Sequence, residues 1–454
     1  MDSVELLIIG GGTAGETAAG KAIGAVNSIA VVEQDRVGGD CVYNACIPTK
    51  VLVHAARVYK RMNNAAFFGL PDADVRADYA KVKAAKDDFI NNISQGRDRK
   101  LEAKGVRLYR GQARFRSPHE VEVGDTLIRA DKIIITTGSA PSVPPIPGLA
   151  ETGYLTNVTA LQLEQIPERI AIIGGGAVGV EFAQIFNAFG GQVHIIESAD
   201  RLLANEDADI SSTARVLFEK AGIKVSAAVK ISKIETTASG KLISGVDGKG
   251  QEFQEVFSEI LVATGRRPVL DDLNLKDAGV DFTRKGIMVN DNLRTSAGHI
   301  WAAGDVTGIA LYTFVAWEQG GVAVENALNN SGRSLNYDIL PHATFSDPEI
   351  AGVGLTEQAA KEQGFKVSTG TFNYADLTRA MAADETEGFI KIIAESGTGR
   401  ILGGHIIGNE ASSLIHEVAA AMIRKATIQD IGGTFHAFPT LSEGVRYACQ
   451  AAQG

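Results

Sequence analysis

Leu6-Leu7-Ile8-Ile9-Gly10-Gly11-Gly12-Thr13-Ala14-Gly15 opens the chain, and Ile170-Ala171-Ile172-Ile173-Gly174-Gly175-Gly176-Ala177-Val178-Gly179 repeats its pattern. Each apolar quartet running into glycines predicts a buried parallel strand. The residues behind each glycine run predict a helix, to about Ile23 in the first copy and about Phe189 in the second. A second strand then ends in an acid. Ile29-Ala30-Val31-Val32 ends at Glu33, and Val193-His194-Ile195-Ile196 ends at Glu197. In both copies the acid falls 18 residues after the last glycine.

Each position in this pattern has a physical task. The first glycine permits a tight turn, the second lets a pyrophosphate approach the backbone, and the third lets helix pack on strand. The helix start offers free N–H groups and the positive end of its dipole to phosphate. The acid accepts hydrogen bonds from ribose hydroxyls. One copy alone would fit an ordinary strand–turn–helix. Two copies in register point to two dinucleotide sites, built on Gly10, Gly12, Gly15 and Glu33 and on Gly174, Gly176, Gly179 and Glu197. Glu197 also selects the nicotinamide cofactor. Its carboxylate repels a 2′-phosphate, and Ser198-Ala199-Asp200 brings no cation before Arg201, so NADH is expected over NADPH.

At 454 residues the chain exceeds one core and fits roughly three domains. Its 45% hydrophobic content, with 50 glycines and 12 prolines, belongs to a globular protein rich in tight turns. A net charge of −10 argues against nucleic acid, whose phosphates require a basic surface. No apolar run approaches the roughly 20 residues of a membrane helix, so no membrane partner is expected. The acidic start Met1-Asp2-Ser3-Val4-Glu5 is not that of a signal peptide, and a cytoplasmic location is expected. Past residue 335 the pattern changes. Segments 387–393 and 401–408 predict an antiparallel sheet, and a helix is expected from about Ser412 to Lys425.

Only three cysteines occur, and two of them, Cys41 and Cys46, sit close together before Ile47-Pro48-Thr49-Lys50. In a reducing compartment such a pair is catalytic or metal-binding before it is structural. No His or Cys lies near enough in sequence to complete a zinc site, so no metal is expected. Residues five apart in a straight helix lie roughly 8–9 Å between Cα atoms, and a disulfide tolerates at most about 7 Å. A bridge therefore requires a distorted or barely started helix. Gly38-Gly39 before the pair and Pro48 after it allow one. Two buried thiols with no redox role remain the alternative. Cys449, lacking a neighbour, is expected to be inert.

Gly38-Gly39-Asp40-Cys41, four residues, then Cys46-Ile47-Pro48-Thr49-Lys50 resembles the active-site signature of the class I flavoprotein disulfide reductases. These include dihydrolipoamide dehydrogenase, glutathione reductase and mercuric reductase. The resemblance runs the length of the chain. Thr136-Thr137-Gly138-Ser139 and Ala263-Thr264-Gly265-Arg266-Arg267-Pro268 resemble the two crossovers between nucleotide domains. Ile300-Trp301-Ala302-Ala303-Gly304-Asp305 resembles the second flavin motif. Phe345-Ser346-Asp347-Pro348-Glu349-Ile350-Ala351 and Pro439-Thr440-Leu441-Ser442-Glu443 resemble the interface-domain signatures.

The resemblance implies an α/β protein with two Rossmann-like dinucleotide-binding domains plus a C-terminal α+β dimerisation domain. The expected divisions are 1–147 with 267–337 for FAD, 148–266 for NAD and 338–454 for the interface. FAD would lie on the first loop, with Glu33 on its adenosine ribose, Asp305 on its ribityl chain, and Thr137, Gly138 and Gly304 around it. NAD(H) would lie on the second loop, near Gly265. Lys50 would pair with Glu181 beside the flavin. Cys46 would be the thiol facing the flavin and Cys41 the thiol meeting a disulfide or dithiol substrate, a lipoyl group among the candidates. The family is a homodimer whose C-terminal domains complete each other's substrate sites, which brings in His436 and Glu443.

One departure matters. Disulfide-reducing members carry a histidine five residues before the glutamate, and here that position is Phe438. Proton transfer at that place is typically worth about 10²–10⁴-fold in rate, and phenylalanine supplies none of it. His436, two residues back, is the candidate replacement. Three readings follow: a dihydrolipoamide-dehydrogenase-like disulfide oxidoreductase with an altered substrate site, a mercuric-reductase-like reductase of a metal or other electrophile, and a flavin-bearing redox sensor.

Overall fold

The computed structural model describes residues 1–71 and 75–453. The chain divides into two compact units, one of Met1–Thr49, Ala84–Ser142 and Gly265–Asn336, the other of Lys50–Lys83, Val143–Thr264 and Tyr337–Gly454.

The first unit is built on the opening repeat. Strand Asp2–Ile9 lies parallel between Ile29–Glu33 and Thr126–Ile135, with Val106–Arg110 outside Ile29–Glu33. Thr126–Ile135 is long enough to serve two further neighbours on its other edge. Its first half pairs antiparallel with Glu120–Val123, and its end pairs parallel with Ile300–Ala302. Leu6, Leu7 and Ile8 are wholly buried, as expected of a strand covered on both faces. Helix Thr13–Ala22 covers one face. The third glycine of the motif explains how closely it sits: a Cβ on Gly15 would fall 1.8 Å from the Gly10 carbonyl oxygen.

The second unit repeats this arrangement. Arg169–Ile173 lies parallel between Gln192–Ile196 and Glu259–Val262, and helix Ala177–Ala188 follows the loop. A Cβ on Gly179 would lie 2.0 Å from the Gly174 carbonyl oxygen. The C-terminal part forms a five-stranded antiparallel sheet in which Phe389–Glu395 pairs with Ile401–Gly408, where the sequence places a hairpin. Helix Ala411–Ile423 packs on it, close to the expected limits. Among the described residues, no helix is long and apolar enough to cross a membrane.

The sequence pattern did not anticipate one buried hub. Lys391, on strand Phe389–Glu395, is 4% exposed at its side chain, with Nζ 2.9 Å from Asp207, 2.6 Å from Asp209 and 2.7 Å from Glu357. Burial works against this ammonium, yet the three carboxylates outweigh it and hold its pKa above the lysine range. Asp207 is burdened by burial too, but the Glu357 N–H and Lys391 hold its pKa below the usual carboxylate value. Glu357 is lowered first by Lys361 and then by Lys391.

Depressed carboxylates stabilise the fold above their unfolded pKa and lose that contribution as pH falls through the folded one. The raised lysine contributes below its unfolded value and loses it at high pH. This network should therefore support the fold across neutral pH and weaken below about pH 4 and above about pH 10.5. Lys391→Met leaves Asp207 buried without its cation and should cost about 3–5 kcal/mol in urea unfolding. Unchanged stability would remove the network from the account.

Candidate functional site

The first loop combines close packing with an open face. Gly10 has φ +107°, and its N–H donates to the Val32 carbonyl at 2.8 Å. Glu33 braces the loop from the end of its strand. One carboxylate oxygen accepts the Gly11 N–H at 2.7 Å and the other the Asp35 N–H at 2.8 Å. At Gly12 nothing but the Gly39 Cα, 3.8 Å away, lies near the place a Cβ would take. Gly12 also caps helix Thr13–Ala22 without any side-chain cap. Space and uncapped N–H groups meet at one point, which fits the phosphates of a dinucleotide.

The second loop follows the same plan. Glu197 accepts the N–H groups of Gly175 and Ala199, the latter at 2.6 Å, and Gly176 faces open space. The acids thus act as structural braces, a task not read from the sequence.

Further dinucleotide candidates cluster in the first unit. Thr137 Oγ1 donates to the Val269 carbonyl at 2.8 Å, and the Gly138 carbonyl accepts the Val269 N–H at 3.0 Å. Gly304 donates its N–H to the buried Gln319 side chain at 2.7 Å. Asp305 accepts from Ser139 Oγ at 2.5 Å, and burial raises its pKa despite Ser139 and Arg266. Gly265, with φ +110°, accepts the Ser142 N–H at 2.9 Å, so the two crossovers pair as short strands.

The cysteines lie beside the first loop. Gly38 donates its N–H to the Gly11 carbonyl at 2.9 Å, and a Cβ on Gly39 would fall 2.7 Å from the Gly12 Cα. Only glycine can approach this closely, and its φ of +63° suits no other residue well. Cys41 lies on the short helix Gly39–Tyr43, the helical winding is interrupted at 44–45, and Cys46 starts the helix Cys46–Asn63. The expected distortion falls between the two cysteines.

Both sulfurs meet one side chain, Thr313. Its hydroxyl donates to Cys41 Sγ at 3.3 Å and lies 3.3 Å from Cys46 Sγ, so the sulfurs are no more than 6.6 Å apart, twice that distance. No sequence pattern marked Thr313. Asp40, next to Cys41, is bonded to Arg266, which also donates to the Ser139 carbonyl at 2.8 Å.

In the second unit, Lys50 Nζ lies 2.9 and 2.8 Å from the two oxygens of Glu181, which is 5% exposed at its side chain. Glu181 also accepts the Phe345 N–H at 2.9 Å, and Lys50 lies 4.6 Å over the Phe345 ring. Asp347 and Gln184 exchange hydrogen bonds of 2.7 and 2.8 Å, and Arg57 binds Glu349 at 2.9 Å. Residues 345–349 are thereby tied to both helices.

The C-terminal candidates are more dispersed in task. Glu443 accepts the Thr440 N–H at 3.0 Å and the Tyr447 hydroxyl at 3.3 Å. His436 Nε2 lies 2.8 Å from Glu417 and Nδ1 3.1 Å from the Thr434 carbonyl, so both ring nitrogens are engaged locally. Phe438 is 74% exposed and Phe435 96%. Cys449 is buried, which pushes its thiol up to about 12. No group of His, Cys, Asp and Glu suited to a metal occurs among the described residues.

Residues 4–329 match the family model of pyridine nucleotide-disulphide oxidoreductases, and 340–449 match that family's dimerisation domain. The chain is 37% identical to dihydrolipoyl dehydrogenase of Thermus scotoductus, over 99% of this chain and 98% of that one. It is 35% identical to mercuric reductase of Staphylococcus aureus, over 98% and 81%. Among solved structures it resembles the HOCl-induced flavoprotein disulfide reductase RclA of Escherichia coli, with TM-score 0.89 and 28% identity over 98% and 99% of the chains.

The Glu33 brace is testable. Hydrogen bonds to charged groups contribute about 1.5–3 kcal/mol each, so Glu33→Ala should weaken retention of the dinucleotide at least tenfold. Reconstitution titrations followed by flavin fluorescence measure this, and wild-type affinity in the variant would refute the brace.

Proposed function

Because the chain belongs to the pyridine nucleotide-disulphide oxidoreductase family, we propose that it uses NADH to reduce a disulfide through Cys41 and Cys46. The protein is an oxidoreductase, and FAD and a nicotinamide dinucleotide are its cofactors. What supports the specific reading is the docking of the cysteine segment onto the first phosphate loop, with both sulfurs at one hydroxyl.

When bound, FAD passes an electron pair between a nicotinamide hydride and a disulfide. The first loop, Glu33, Thr137, Gly138, Gly304 and Asp305 would hold it, and the second loop with Glu197 and Gly265 would hold NADH. Lys50, fixed by Glu181, supplies positive charge on the helix that Cys46 begins. Once the Cys41–Cys46 bond is reduced, the Cys41 thiolate attacks the substrate disulfide and one substrate sulfur leaves as thiolate. Cys46 then attacks Cys41, re-forming the pair and releasing the second substrate sulfur. The domain divisions are taken as 1–147 with 267–337, 148–266 and 338–454. A homodimer fits the matched dimerisation domain and the exposed rings of Phe435 and Phe438. A cytoplasmic setting suits a redox pair of this kind.

Phe438 favours a second reading, reduction of a soft metal ion. Such an acceptor takes electrons at sulfur without a proton delivered at Cys41. Mercuric reductases are among the similar chains, and a Cu(II) complex is among the similar structures.

Three measurements decide these points. Disulfide-dependent NADH oxidation should exceed oxidation driven by Hg(II) or Cu(II), and the reverse order would install the metal reading. Phe438→His should raise lipoamide turnover by up to about 10²–10⁴-fold if proton transfer limits it; no change would mean the pocket excludes lipoamide. NADH should outperform NADPH, and Ser198→Arg should narrow the gap while leaving the Glu197 brace in place. NADPH as the better donor for the wild type would overturn the role given to Glu197.

A further inference from the structure

Thr313 stands between two sulfurs that must exchange a proton during turnover. Its hydroxyl donates to Cys41 Sγ at 3.3 Å, which leaves its oxygen lone pairs available to Cys46 Sγ, also at 3.3 Å. A hydroxyl donates and accepts through a single atom. Cys46 is the first residue of an 18-residue helix, so the helix dipole favours the thiolate there. Cys41, the exchanging thiol of the proposed mechanism, then carries the proton and is a poor nucleophile. Phe438 cannot remove it, and both nitrogens of His436 are engaged with Glu417 and Thr434.

We propose that the Thr313 hydroxyl relays a proton between the two sulfurs and so supplies the thiolate to Cys41 without an outside base. The inference rests on the reading of Cys41 as the exchange thiol. In the relay, the Cys41 S–H bond breaks as its proton passes to Thr313 Oγ1, and the Thr313 O–H bond breaks as its own proton passes to the Cys46 thiolate. Charge and proton number are unchanged. The pair moves from Cys41–SH and Cys46–S⁻ to Cys41–S⁻ and Cys46–SH, and the re-formed Thr313 O–H donates to Cys41. No oxidant or reductant is consumed. The charged groups around the pair are held by partners of their own: Asp40 on Cys41's helix by Arg266, Lys50 on Cys46's helix by Glu181, and Asp305 by Ser139.

The test is the pH dependence of alkylation. NADH-reduced holoenzyme is treated anaerobically with trace iodoacetamide between pH 5 and 9, and labelling at Cys41 and Cys46 is counted by peptide mass spectrometry. The wild type should label first at Cys41. Thr313→Val should move the midpoint for Cys41 upward by about one pH unit and slow its labelling at pH 7 roughly tenfold, the size of one lost hydrogen bond to a thiolate. Thr313→Ser should restore the wild-type profile. Should the valine variant fail to retain flavin, Thr313→Ala removes the same hydroxyl with less bulk. A wild-type profile in the valine or alanine variant, or no rescue by serine, overturns the relay. Absence of preferential Cys41 labelling in the wild type sinks the exchange-thiol reading itself, and the relay with it.

Discussion

On the proposed mechanism, one backbone contact governs the chemistry: Gly38-Gly39 lying on Gly11-Gly12. The Gly38 N–H binds the Gly11 carbonyl, and Gly39 comes so near Gly12 that a side chain on Gly39 would collide with it. On its other side the Gly11 N–H is held by the buried Glu33 carboxylate. Gly11, in the turn expected to border a phosphate, is therefore held at both its N–H and its carbonyl. Cys41 follows two residues after Gly39, and its position is inherited from that contact. A redox pair carried on a mobile loop would have to be ordered at each turnover, at a cost of about 1–2 kcal/mol of backbone entropy per residue. Here the ordering is already built into the fold.

The second nucleotide loop shows what the contact does by doing something else in the same place. Gly175 is braced by Glu197 as Gly11 is by Glu33, and its carbonyl also accepts an N–H from the segment after the acid. That donor is Leu203, and the Leu202 side chain fills the space beside Gly175. Two bulky leucines thus occupy a slot that two glycines occupy in the first copy. Leucines close the loop with an apolar plug, whereas glycines admit another stretch of backbone, and that stretch carries the cysteines. The two copies share a scaffold and differ in what is docked on it.

This difference explains which features the sequence displayed. The strands, loops and acids were legible because their physics is local: a buried quartet, a turn that needs glycine, and an acid at fixed distance. The break between Cys41 and Cys46 was legible because helix geometry and disulfide reach conflict over five residues. Lys50 with Glu181, 131 residues apart, was foreseen only through family resemblance. Thr313 was not foreseen at all. It lies 267 residues from Cys46 and 272 from Cys41, and a threonine at a helix start is otherwise unremarked. The Lys391 hub was missed for the same reason, since its three carboxylates come from distant segments.

On the proposed mechanism, the C-terminal segment of a partner subunit would bear on what the cysteines react with. His436 is tied down at both nitrogens, Glu443 is occupied by Thr440 and Tyr447, and Phe438 offers a ring with no exchangeable proton. On the proposed mechanism, the leaving sulfur of a substrate must then depart as a thiolate without help from this segment. That requirement discriminates among acceptors. A disulfide whose thiols have low pKa values leaves readily unaided, and a metal ion has no leaving sulfur to protonate. A disulfide of ordinary alkyl thiols is the hardest case. On the proposed mechanism the same constraint would place proton handling on groups within the first unit, where the Thr313 hydroxyl lies 3.3 Å from each sulfur. Under that mechanism, substrate choice and the internal relay both follow from having phenylalanine at residue 438.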